Sequence, residues 1–143
     1  MSTMPHPWRT LSRLDDVVVC WRSHLPGRKH AATDGRNTIW ILTGLTQAQR
    51  RCALQHELVH LENRHTTCQD ARTELLVRRE AARRLITTSA FFDTGIWARS
   101  LHEWAEDLWV TVPVLLDRIN HLSPTEQLIA LDYINAARER GAD

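Results

Sequence analysis

The sequence has a single lysine, Lys29, so every other fixed positive charge is an arginine, and the formal net charge is only +1. Its arginine pairs, Arg50-Arg51, Arg78-Arg79 and Arg83-Arg84, are separated by acidic residues. No unbroken basic stripe results, and direct nucleic-acid binding is not expected. Long apolar runs are also missing. Residues from Met1 to Leu14 contain no hydrophobic stretch of signal-peptide length, and nowhere do about 18 apolar residues follow one another to span a bilayer. A cytoplasmic protein without a membrane partner is the expectation. Cysteine is sparse: Cys20, Cys52 and Cys68 are odd in number and form no Cys-x-x-Cys pair, which argues against a disulfide framework and leaves free thiols. No internal repeat, linker or second core is visible.

What is present suits one folded domain over residues 1–143, with 43% hydrophobic and 24% charged residues. The Val-rich segment from Asp16 to Trp21 reads as a strand. Lys29 to Thr33, then Asp34-Gly35, then Thr38 to Leu42 reads as a hairpin. The expected sheet is small, three-stranded and antiparallel, over about residues 15–43.

Thr46 and Gln49 form a capping-box pattern that opens a helix from Gln47 to Asn63. Leu54, Leu58 and Leu61 recur at helical spacing, and Cys52, Ala53 and Val59 add apolar surface elsewhere, so this helix should be central and buried. Asp70 caps a second helix with Ala71, Leu75, Ala82 and Ile86 on one face. The two form an expected helical pair over about residues 47–88. After a Thr/Ser/Gly interruption between Thr87 and Gly95, Trp97, Leu101, Trp104, Ala105 and Leu108 repeat at helical spacing, and Val112 to Leu122 gives a short helix with Pro113 in its first turn. Ser123-Pro124-Thr125-Glu126 is a second capping box before a terminal helix. These C-terminal helices cover about residues 96–139, and Trp97, Trp104 and Trp109 are expected to fill core.

The chemistry lies in His56-Glu57-Leu58-Val59-His60. Histidines four apart on a helix stand on one face, one turn above the other, and can reach a single ion. Glu57 is offset by one position, which sets its carboxylate beside the metal as a general base for a water activated by zinc. Two imidazoles and a carboxylate in an otherwise apolar helix also need polar partners if buried.

A catalytic zinc takes three protein ligands and keeps one position open. His65, Cys68, Asp70, Glu74 and Glu80 are the downstream candidates for the third. Glu80, 20 residues after His60, is favoured, because an antiparallel helical pair can return its carboxylate to the histidine face. The plainer alternative for Glu80 is a surface ion pair with Arg84, worth about 0.3 to 0.5 kcal/mol. A metzincin would need Gly at 63 and His at 66, where this chain has Asn63 and Thr66.

The pairing of His56-Glu57-Leu58-Val59-His60 with Glu80-Ala81-Ala82-Arg83-Arg84-Leu85 at gluzincin-like spacing resembles the ImmA/IrrE family of metallo-endopeptidases. The resemblance runs from about Thr38 to Leu122 and takes in Ala105 to Thr111 and Leu116 to Ile119. It implies zinc ligands His56, His60 and Glu80, with Glu57 catalytic. It also implies a protein substrate of the kind that family members in bacteria, phages and mobile elements act on, a helix-turn-helix repressor.

The expected fold is therefore α+β, a small sheet packed on a mostly helical zincin-like domain built around the motif helix. The expected activity is zinc-dependent endopeptidase. Thr38 to Leu42 is expected either as an edge strand on which an extended peptide can be laid across the metal or, equally, as an ordinary sheet strand whose Trp40 fills core. Tyr133, His102 and His121 are candidates to polarise the scissile carbonyl. A rival class is a metal-containing module that docks to a transcriptional regulator without cutting it. A helix-turn-helix in Val112 to Ala137 is disfavoured, because Thr125 to Ala136 contains no arginine or lysine to meet phosphates.

Overall fold

The computed structural model describes residues 5–141; residues 1–4 and 142–143, the ends of the expected domain, lie outside that range. The chain is α+β. Among the described residues one small sheet holds the strands β1 (Val18–Arg22), β2 (Ala31–Thr33) and β3 (Thr38–Leu42). The expected hairpin forms, with Ala31 opposite Ile41 and Thr33 opposite Ile39. The Asp34 carboxylate ties its turn by accepting the backbone N–H groups of Arg36, Asn37 and Thr38 at 2.9 to 3.1 Å.

The sheet is mixed, which corrects the antiparallel expectation. Its order is β1-β3-β2, and β1 runs parallel to β3 with Val18 opposite Thr38. Two reversals of direction separate β1 from β3, so a β1 that pairs with β3 instead of with its sequence neighbour must run parallel to it. The same order moves Thr38–Leu42 from the edge to the middle of the sheet and leaves β2 at the edge.

Helix α1 (Pro7–Ser12) precedes the sheet and has no counterpart among the expected elements. Pro7 starts it, and Trp8 stacks on Trp21 of β1 with ring centroids 6.0 Å apart. Helix α2 (Gln47–Glu62) begins at the expected capping box: the Thr46 hydroxyl accepts the Gln49 N–H and the Gln49 side chain accepts the Thr46 N–H. Leu54, Leu58 and Leu61 pack with Ile39, Ile41 and Ala31 to form one core between helix and sheet.

Helix α3 (Ala71–Leu85) opens on Asp70, whose carboxylate accepts the Thr73 N–H at 2.8 Å. Its buried face is Val77, Ala81, Ala82 and Leu85, and Leu75, expected inside, is exposed. The expected interruption after it is instead helix α4 (Thr88–Gly95), capped by the Thr87 hydroxyl and anchored by buried Phe91 and Phe92. Only Trp104 of the three expected core tryptophans is substantially covered. It lies on α5 (Leu101–Asp107), 4.7 Å from the Phe91 ring centroid, and donates its indole N–H to the Thr94 hydroxyl. Trp97 precedes that helix and Trp109 follows it at φ 57°, and both are exposed.

Helices α6 (Val112–Asn120) and α7 (Pro124–Gly141) follow as expected, the latter with its Ser123/Glu126 capping box intact. Two buried arginines hold the elements together. Arg118 donates to both Glu126 carboxylate oxygens and to the Ile86 carbonyl. Arg51 of α2 donates to the carbonyls of Pro5, Leu85, Leu108 and Trp109. Among the described residues no helix is long and apolar enough to cross a membrane.

Candidate metal centre

The second half of α2 presents His56 and His60 on one face, one turn apart, as their spacing requires. Their Nε2 atoms lie 3.2 Å from each other. The carboxylate of Glu74 bridges them: one oxygen is 2.9 Å from His60 Nε2, the other 3.2 Å from His56 Nε2. Glu74 sits in the first turn of α3, directly after the loop that reverses the chain. One ligand atom from each residue fits within a cluster 4.8 Å across. Two atoms each about 2.0 to 2.1 Å from a tetrahedral zinc stand roughly 3.3 to 3.4 Å apart. The two separations from His56, both 3.2 Å, lie close to that value and the His60–Glu74 one, 2.9 Å, is shorter; two imidazoles with one carboxylate are a donor set that suits such an ion.

Glu80 is elsewhere. Its carboxylate is held by Arg83 and Arg84, with Nε to oxygen distances of 3.0 and 2.9 Å, and Arg84 continues to Glu62. Those guanidinium groups, Arg83 foremost, lower the Glu80 carboxyl to about 2. The correction follows from helix geometry. Glu80 is six residues beyond Glu74, so it is rotated by about 240° and displaced by about 9 Å along the axis. The first turn of α3, with Glu74, is the part that brings a carboxylate to the histidines. The signal for Glu74 was available in the sequence: it precedes Val77 by three residues and Ala81 by seven, which puts it on the buried face of α3. A stripe counted through Leu75 is about one position out of phase with that face.

Glu57 is buried, 8% exposed, and lines the cleft in front of the two imidazoles. Burial, with a contribution from the Glu74 charge, raises its carboxyl to about 7, and Lys29 opposes the shift. Burial lowers both His56 and His60, while Glu74 draws each the other way. Burial, the larger cause, favours neutral imidazoles, the form that binds metals, and the Glu74 carboxylate opposes it. The cleft is about 940 Å³, and its walls are α2, the start of α6, the loop His65 to Gln69, and β2 with the preceding Lys29 and His30.

Comparison with protein-family models, curated proteins and solved structures finds no match to this chain.

Sequence reasoning missed the way α2 ends. Asn63 closes the helix, and Arg64 takes the left-handed conformation at φ 53°. Its N–H bonds to the Leu61 carbonyl, and the His65 N–H reaches back to the His60 carbonyl. This is a Schellman motif, a turn that folds the second residue past the cap onto the helix's last turn. Here it brings His65 Nδ1 within 2.9 Å of His60 Nδ1. His65 is thus beside the centre but on the far side of the His60 ring. Of the other candidates, Cys68 lines the cleft and Asp70 caps α3. Tyr133, His102 and His121 do not line the cleft; Tyr133 stacks on Phe92, and His121 Nδ1 is 2.7 Å from the Asp117 carbonyl.

Proposed function

We propose that this chain is a zinc-dependent endopeptidase that works in the cytoplasm, with His56, His60 and Glu74 holding the metal and Glu57 as its general base. The observation that carries the proposal is the convergence of those three donors at metal-ligand spacing, with the buried Glu57 carboxylate lining the same cleft. When bound, zinc supplies Lewis acidity for a peptide carbonyl and for the attacking water.

The chain's own groups account for the proton transfers. Glu57 takes the proton from the attacking water and returns it to the leaving amine, a shuttle suited to a carboxyl whose pKa lies near neutrality. The outer edge of β2 borders the cleft, so an extended substrate segment can add to β2 through main-chain hydrogen bonds and pass in front of Glu57. This role falls to β2, since β3 is enclosed between two strands.

A zincin-like arrangement and membership of the ImmA/IrrE family fit this reading, with the third ligand on the first turn of α3 in place of Glu80. The substrate class which that resemblance implies is a regulatory protein such as a helix-turn-helix repressor.

The test is Glu57→Gln. Zinc content should stay near one per chain while cleavage of a casein or repressor substrate falls by at least about 10³-fold, a loss in the range expected when a general base is removed. Full activity in that variant overturns the assignment. A biological effect that survives it shows a docking module instead of a peptidase.

A further inference from the structure

Resting on the metal reading above, we infer that His65 is the positioning residue that sets the tautomer and orientation of His60. The inference starts from the two faces of one imidazole. His60 Nε2 points at His56 and Glu74, and His60 Nδ1 points at His65 Nδ1 across 2.9 Å. A nitrogen that gives its lone pair to a metal leaves the other ring nitrogen carrying the proton, and that N–H needs an acceptor. His65 Nδ1 is the acceptor in place. Accepting there makes His65 the Nε2–H tautomer, and its own lone pair is then engaged with His60 and turned away from the ion.

Two features place His65 independently of the metal. The Schellman turn ties its backbone N–H to the His60 carbonyl at 3.0 Å, so residues 60 and 65 face each other because the helix ends where it does. From the other side, Gly35 in the β2–β3 turn presses on it: a Cβ at Gly35 would come within 2.2 Å of the His65 carbonyl oxygen. The hairpin therefore buttresses the loop that orients the metal ligand.

The test compares His65→Asn with His65→Leu in the full chain. The amide oxygen of Asn occupies the place of the His Nδ1 and can accept the His60 N–H, whereas Leu fills the volume without an acceptor. Zinc affinity is measured by competition with a chromophoric chelator, alongside His60→Ala. His65→Leu should weaken zinc binding by about 10- to 100-fold, the range for lost outer-shell partners, and His65→Asn should stay within about threefold of the parent. The ¹⁵N spectrum of the zinc-loaded parent should show His60 protonated at Nδ1 and His65 at Nε2, with the His60 Nδ1–H retained in the Asn variant. Equal zinc affinity in all three chains, with His60→Ala impaired, overturns the inference while leaving the metal centre standing. Zinc binding that is indifferent to His60→Ala overturns both.

Discussion

Replacing Glu126 by Gln tests how the C-terminal helices are fixed, and its size can be worked from the surroundings of that carboxylate. Glu126 is buried, 7% exposed. It accepts from the Arg118 guanidinium on both oxygens, from the Thr88 hydroxyl at 2.7 Å and from the Ser123 N–H at 3.0 Å. Arg118 foremost lowers the carboxyl to about 2 from its ordinary 4.5. A folded-state pKa below the unfolded one means that the stabilisation is complete above about pH 4.5 and drains away as pH falls towards 2. A gap of about 2.5 units corresponds to roughly 3 kcal/mol. A chain of 143 residues unfolds with an entropy of about 0.3 kcal/mol/K, so the loss should lower Tm by about 10 °C at pH 7. Urea unfolding of parent and Glu126→Gln at pH 7 and pH 3 measures it. The stability difference should shrink by about 2 kcal/mol between those two conditions, because Gln does not titrate. A difference that is the same at both pH values refutes the assignment of the stabilisation to the charged carboxylate.

Two substitutions bear on the metal centre. Glu74→Gln should reduce bound zinc, by atomic absorption after dialysis, to well below one per chain, whereas Glu80→Gln should leave it unchanged; the reverse pattern removes Glu74 from the ligand set. Gly35→Ala, distant in sequence from every ligand, should raise the zinc Kd by about tenfold by displacing His65, and an unchanged Kd in a folded variant shows that the loop tolerates the contact.

Much of the helical framework was legible because its signals are local. The Thr46/Gln49 and Ser123/Glu126 boxes and the Asp70 cap announce α2, α7 and α3 within four residues of each start. The histidine pair is readable for the same reason. Features that depend on distant partners were not. The pairing of β1 with β3 reflects a competition between strands that no local pattern records. Thr87 to Gly95 carries a cap and two phenylalanines, but its Thr, Ser and Gly content reads as a break until Phe91 and Phe92 have a core to enter. Glu74 was hidden by a small error of phase: counting the α3 stripe through Leu75 points Glu74 outward, and counting it through Val77 and Ala81 points it at the histidines.

Arg51 gives the motif helix a second occupation. A guanidinium that spends its donors on main-chain oxygens of Pro5, Leu85, Leu108 and Trp109 gathers three other chain segments onto α2 at a single knot, and it does so little more than one helical turn before His56. Loosening that knot frees the C-terminal ends of α3 and α5 together with the helix that carries the histidines. Partial opening of this protein should therefore be rare near the cleft: amide protons along α2 should exchange only when the whole molecule comes apart.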